Sequence, residues 1–303
     1  MHRRQLLSLL TLPALTAHAF AADAATVATR SASTTPTGVP MTNASRSAHA
    51  AVNGVNLYYE IHGSGRPLVL LHGGVQASEA FGTNLAALAA TRQVIAVHLQ
   101  GHGQTPDTER PLRFEDMADD VAALAAHLGL KKIDVMGYSL GGGVAQQVAI
   151  RHPDLVDRLV VLSQVFKRAG WYPEVLGAFD AMTAHAPMIA QNIAQSPMAK
   201  LYPNVKWEAL LRKIGELESR DYDWTAQIGG VKARTLLVFA DADAMRPEHM
   251  VEFYKLLGGG RQDAGMDGSN RPANQWAVIP NTTHYNLLAT DAVAKLASAF
   301  LDR

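Results

Sequence analysis

Gly137-Tyr138-Ser139-Leu140-Gly141-Gly142 decides the reading of this chain. The residues before it, Ile133-Asp134-Val135-Met136, are mainly apolar and predict a short buried strand; after it, Leu140, Val144 and Val148 recur at helical spacing. Strand, tight Gly-x-Ser-x-Gly turn, then helix is the arrangement that holds a serine hydroxyl above a sheet on a strained turn. Glycine fits at 137 and 141 because a Cβ there would collide with the neighbouring strand and helix. Amides of the first helical turn then face any negative charge that develops beside Ser139. The plainer reading makes Ser139 a helix N-cap and nothing more. The surrounding sequence favours a nucleophile, because it supplies partners in the required order.

Working outward, the folded domain is expected from His49 to Arg303. Val52-Asn53-Gly54-Val55 is a hairpin signal followed by the strand Leu57–Ile61. Pro67-Leu68-Val69-Leu70-Leu71 is a buried strand ending at His72-Gly73-Gly74, and Gln93–Val97 is another, ending in Gln100-Gly101-His102-Gly103. A helix is expected around Ala80 to Ala90. Phe114, Met117, Val121, Leu124 and Leu128 mark one face of the next. Beyond the elbow helix come strands at Leu159–Leu162, Thr235–Phe239 and Trp276–Ile279, a helix from Pro247, and a final helix from Asp291 to Leu301. Apolar strands alternating with amphipathic helices predict a mostly parallel sheet covered on both faces, an α/β fold.

Between about residues 163 and 230 this rhythm stops. Trp171, Tyr172, Phe179, Met182, Met188, Met198, Tyr202, Trp207, Tyr222 and Trp224 dominate, and Pro173, Pro187, Pro197 and Pro203 are expected to break the segment into short helices. Such an insertion between two strands predicts a helical lid, most of whose apolar residues form its own small core.

The N-terminus reads differently. His2-Arg3-Arg4, the apolar run Leu6–Leu15 and the small-x-small sites Ala17-His18-Ala19 and Ala19-Phe20-Ala21 predict a signal peptide over residues 1–21. Arg3-Arg4-Gln5-Leu6-Leu7 loosely matches a twin-arginine signal. Residues 22–48, rich in Ala, Ser and Thr, suit a flexible linker. Export to the periplasm or beyond the cell is expected, with no stable membrane insertion after processing.

The 27 basic and 27 acidic residues balance, which argues against nucleic acid or an anionic membrane surface as the main partner. The chain has no cysteine, so disulfides, thiolate metal sites and a cysteine nucleophile are excluded.

A serine hydroxyl needs a base, and a histidine with its ordinary pKa near 6.5 suits the task. The base needs an acid to fix its tautomer. His284 follows the last strand, and Asp241 and Asp243 follow the strand at Leu236. Ser, Asp, His is the chain order expected for this elbow architecture. Asp243 is the favoured acid because its loop has length to curl toward His284; Asp241, the second choice, is placed to cap the strand tip. His98 and His102 are minor rivals for the base. No histidine–carboxylate group has metal spacing. The oxyanion donors are expected to be the N–H groups of Leu140 and Gly74, with Val75 second to Gly74.

Taken together, His72-Gly73-Gly74, Gln100–Gly103, Gly137–Gly142, Asp241–Pro247 and Pro280–His284 resemble the α/β-hydrolase superfamily over nearly everything from about residue 50 to the end. The resemblance implies an α/β-hydrolase fold with a mostly parallel eight-stranded sheet, helices on both faces and a lid after the sixth strand. It also implies a Ser–His–Asp mechanism through an acyl-enzyme, with no cofactor. The chain departs from the common pattern at His98-Leu99-Gln100-Gly101, where many relatives carry an aspartate first. Serine at position 139 argues against the dehalogenase and epoxide hydrolase branches, which use an aspartate there. The expected activity is hydrolysis of a small or medium carboxylic ester. Lactonases, carbon–carbon bond hydrolases and cofactor-free perhydrolases use the same triad, and a non-catalytic binding protein on this fold is the rival from another class.

Overall fold

A computed structural model describes residues 46–303. The expected signal peptide, and all of the expected linker before Arg46, lie outside the described residues. The first strand, β1 (Arg46–Val52), starts three residues before the expected boundary at His49 and pairs antiparallel with β2 (Val55–His62). Asn53 and Gly54 join them at φ 48° and 80°, the two left-handed positions that a two-residue hairpin turn requires.

The chain then runs through β3 (Arg66–Leu71), a 3-10 turn (Ser78–Phe81), α1 (Gly82–Ala89) and β4 (Arg92–Val97). Next come α2 (Phe114–His127), β5 (Ile133–Tyr138), α3 (Leu140–Arg151) and β6 (Val156–Leu162). The strands stand in the order β1-β2-β4-β3-β5-β6, continued by β7 (Arg234–Ala242) and β8 (Gln275–Thr283). β2 meets β4 antiparallel, and every pair from β4 to β8 is parallel. This is the expected eight-stranded, mostly parallel sheet.

Alternate residues of the central strands enter different cores. Val69, Leu71, Ile95, Val97, Val135, Leu159 and Val161 pack on one face with residues of α2 and α3. Leu68, Leu70, Val94, Ala96, Met136, Val160 and Leu162 pack on the other with residues of α1 and of the C-terminal helix (Ala292–Leu301). A period of two with both faces covered explains why these strands read as continuous apolar runs.

Between β6 and β7 lie α4 (Pro173–Ala194), α5 (Pro197–Leu201), α6 (Trp207–Glu218) and α7 (Thr225–Ile228). Pro173 and Pro197 open helices, as proline does at a first turn. Pro187 differs from expectation: it sits inside the 22-residue α4 and does not break it. The carbonyl that a proline at this position strands is that of Thr183, and Arg212 Nη1 of α6 donates to it at 3.2 Å. A guanidinium from the neighbouring helix thus replaces the missing backbone donor.

After β7 come α8 (Pro247–Leu256), β8 and α9 (Ala292–Leu301). β8 is longer than the Trp276–Ile279 expected. It accommodates Pro280 because it is an edge strand, with no neighbour to need that N–H. Among the described residues no helix is long and apolar enough to cross a membrane.

Candidate active site

The elbow is built by close approach. A Cβ at Gly137 would stand 2.1 Å from the Gly141 carbonyl oxygen, and one at Gly141 would stand 2.4 Å from that of His72. Neither position admits a side chain. Between them Ser139 takes φ 51° and ψ −124°, a conformation that costs on the order of 1–3 kcal/mol outside glycine. The Ser139 side chain makes no capping hydrogen bond to α3. Its hydroxyl donates instead to His284 Nε2 at 3.0 Å.

His284 stands directly after β8. Its Nδ1 donates to Asp243 Oδ1 at 3.0 Å, which leaves Nε2 as the acceptor facing Ser139. Asp243 is buried, and burial pushes its carboxyl up. The hydrogen bond and electrostatic pull of His284, the Ser163 hydroxyl and the Ala240 N–H together outweigh that push, and the net shift is downward. Ser163 Oγ donates to Oδ2 at 2.6 Å, Ala240 N to Oδ2 at 3.0 Å and Ala244 N to Oδ1 at 2.8 Å. All four contacts satisfy the charged form, as a buried carboxylate requires. Asp241 is turned away, accepting from Thr282 N at 2.9 Å and Asn281 N at 3.0 Å.

The loop after β3, expected to carry an oxyanion donor, is held by His72. Its Nδ1 donates to the Gly73 carbonyl at 2.7 Å, and its Nε2 accepts from Leu99 N at 3.1 Å. Burial drives the His72 pKa well below the ordinary value, so the ring is neutral and can play both roles. Because a trans peptide points C=O and N–H in opposite directions, the Gly74 N–H faces away from that ring. Val75 follows with φ 59°, an uncommon conformation for a β-branched residue. A Cβ at Gly74 would touch Leu140 and Ile214, each at 3.7 Å, so Gly74 and Leu140 sit side by side beneath α6.

His98 and His102 do not join this chain of bonds. His98 Nδ1 accepts from Gln104 N at 3.0 Å and its Nε2 meets Ser78 Oγ at 3.0 Å; His102 Nδ1 meets the Gln100 carbonyl at 2.9 Å. Burial holds both near pKa 4, hence neutral. Among the described residues no group of three or more His, Cys, Asp or Glu is placed to hold a metal ion.

Three residues at the site were not anticipated from the sequence. Ser163 bonds Asp243. The Tyr138 hydroxyl donates to the His284 carbonyl. The Trp171 indole packs edge-on against the His284 ring, with centroids 5.5 Å apart. Tyr138 precedes the serine in the motif and was open to notice; Ser163 and Trp171 carry no local signal.

Residues 66–204 match the family model for the alpha/beta hydrolase fold. A soluble epoxide hydrolase of Corynebacterium sp. (strain C12) is 42% identical over 119 residues, which are 38% of this chain and 41% of that protein. The chain thus matches less than half the length of that relative. A putative carbamate hydrolase, RutD, of Azorhizobium caulinodans is 26% identical over 255 residues, covering 77% of this chain and 94% of that one. Among solved structures, a thermophilic esterase from Thermogutta terrifontis superposes with a TM-score of 0.66 at 21% identity, covering 86% of this chain and 98% of the other.

Proposed function

We propose that this chain, which has the α/β-hydrolase fold and whose residues 66–204 match the model of that family, is a serine hydrolase that cleaves a small or medium carboxylic ester through an acyl-enzyme. The observation that carries this reading is the unbroken line of hydrogen bonds from Ser139 through His284 to Asp243. In the proposed reaction Ser139 Oγ attacks the ester carbonyl while its proton passes to His284 Nε2. Asp243 holds the imidazole in the required tautomer and stabilises the imidazolium. The N–H groups of Leu140 and Gly74 receive the oxyanion, each such donor being worth on the order of 10²–10³ in rate. The imidazolium returns its proton to the leaving alcohol, and water then releases the acyl group by the same steps in reverse.

Serine rather than a carboxylate at position 139 supports ester cleavage over epoxide opening by an aspartate nucleophile. Ile214 gives the donor loop an apolar cover at Gly74, and Leu210 does the same for the loop after β4 at Gly101, which suits an apolar acyl group. In this reading the helices of residues 163–230 serve as the lid. Export through the signal at residues 1–21 belongs to the same proposal; N-terminal sequencing of the mature protein, finding Met1 still in place, would remove it.

The test is Ser139→Ala with a panel of aryl and alkyl esters. Turnover should fall by at least about 10⁴-fold while the fold is retained, and a fluorophosphonate should label the parent at Ser139 alone. Well-folded parent protein that neither reacts nor turns over any ester would favour a binding protein on this fold.

A further inference from the structure

Past the Trp171 indole lies a group of polar atoms that the proposed triad does not use. Trp171 is 2% exposed and Glu218 5% exposed. Trp171 Nε1, Glu218 Oε2 and the Tyr222 hydroxyl are each buried and have no hydrogen-bond partner among the described residues. They belong together. The Tyr222 hydroxyl lies beside the Trp171 N–H, close to but short of full hydrogen-bond geometry, and it feels the Glu218 carboxyl. Their backbones are tied by Arg168, whose Nε donates to the Glu218 carbonyl and whose N donates to the Tyr222 carbonyl, both at 2.9 Å. Apolar walls enclose the group: Phe179 lies against Trp171, and Phe114 and Trp224 lie against Tyr222.

Three polar groups short of full hydrogen bonds in an apolar wall are costly unless a ligand atom or a buried water completes them. The set has a defined chemistry. The indole is a donor only, the phenol can donate or accept, and the carboxyl can accept. Burial, partly offset by Arg168, pushes the Glu218 carboxyl up to about 7, so near neutrality it also exists as a donor. One hydroxyl fits all of this, accepting from Trp171 or Tyr222 while donating to Glu218. A free carboxylate would meet ionised Glu218, and an ammonium would meet the indole N–H.

The position decides which part of the substrate carries that hydroxyl. The indole that offers Nε1 to this group also packs on the His284 ring. His284 must deliver its proton to the leaving oxygen, so the leaving alcohol lies on the imidazole's side of Ser139. We propose that Glu218, Tyr222 and Trp171 form a specificity subsite for a second hydroxyl on the leaving alcohol, making the preferred substrates monoesters of diols or polyols. This inference rests on the serine-hydrolase reading above.

Matched butyrate esters test it in a pH-stat: propyl against 3-hydroxypropyl, and butyl against 4-hydroxybutyl. The parent should favour the hydroxylated member of at least one pair by about 10-fold or more in kcat/KM. Tyr222→Phe, which keeps the ring packing, and Glu218→Met, which keeps the length, should each bring that ratio below about 3-fold. Taking the ratio within each variant cancels any loss of folded protein. Equal rates on both members in the parent, or a preference unchanged in both variants, overturns the subsite and leaves the serine hydrolase standing. Failure to cleave any ester, alkyl members included, overturns the reading of the site and this inference with it.

Discussion

Asp241 and Asp243 lie two residues apart at the end of one strand, and their surroundings give them different tasks. Asp243 is buried with its carboxylate bonded to His284, Ser163 and two amides; Asp241 is exposed and fastens the loop at Asn281 and Thr282. Asp243→Asn should therefore lower kcat by about 10⁴-fold, because an amide can hold the imidazole in the wrong tautomer. Asp241→Asn should stay within about 5-fold of the parent, losing only charge assistance to two loop amides. Steady-state kinetics on one ester decide this, and the reverse order would move the acid to Asp241. The length of the loop after β7 made the meeting of Asp243 with His284 legible in the sequence. Ser163 was not legible, because its bond to Asp243 spans 80 residues and exists only through the pairing of β6 with β7. Glu218 was equally silent, since a glutamate near the end of an amphipathic helix reads as a solvated residue. Its folded pKa of about 7 stands above the ordinary 4.5. The unfolded chain therefore releases this proton first as pH rises. Stability is lost between about pH 4.5 and somewhat above 7, on the order of 3 kcal/mol in all. Glu218→Gln should flatten that stretch of a urea-denaturation pH profile, and an unchanged slope would refute the burial effect.

At the scale of elements, composition located the insertion but misjudged its longest helix. Local rules read each proline as a boundary, which is right for Pro173 and Pro197 at helix starts and wrong for Pro187. An interior proline costs about 3 kcal/mol in an isolated helix. Here α6 supplies part of that back through Arg212, whose Nη1 reaches the Thr183 carbonyl. No pattern within α4 reports a donor that arrives from 25 residues further along. Pro187→Ala should raise stability by about 1–2 kcal/mol, less than the full penalty, because Arg212 already satisfies the stranded carbonyl. Arg212→Met should cost roughly 1 kcal/mol more in the parent than in the Pro187→Ala background, where the restored backbone N–H takes over. Additive effects in this double-mutant cycle would show that the two residues do not share the Thr183 carbonyl.

For the molecule as a whole, alternation of strands and helices in the sequence was enough for a covered parallel sheet. It was not enough for the strand order, in which β4 stands between β2 and β3, nor for the way the insertion is fastened. Two side chains, Tyr202 and Lys213, tie the helices above the site to the rim of the sheet. Tyr202, just after α5, donates to Glu79 Oε2 at 2.5 Å in the 3-10 turn that follows the donor loop. Lys213 of α6 pairs with Asp107 at 2.8 Å and also donates to the Arg110 carbonyl at 3.1 Å. Burial raises the Glu79 carboxyl against the pull of the Tyr202 hydroxyl, so this tie persists whether Glu79 is charged or neutral. Both ties join the insertion to the loops after β3 and β4, the side on which Gly74 and Leu140 lie. On the proposed lid reading, opening there would expose the proposed oxyanion donors and leave β5 and β7 in place. Tyr202→Phe and Lys213→Met together should speed amide exchange across α5 and α6 by about 10-fold or more, while amides of β3, β5 and β6 keep their protection. An equal rise in the sheet would mean that the double variant loosens the whole fold. No change in α5 and α6 would mean that packing of α4 on α6, rather than these two ties, keeps the site covered.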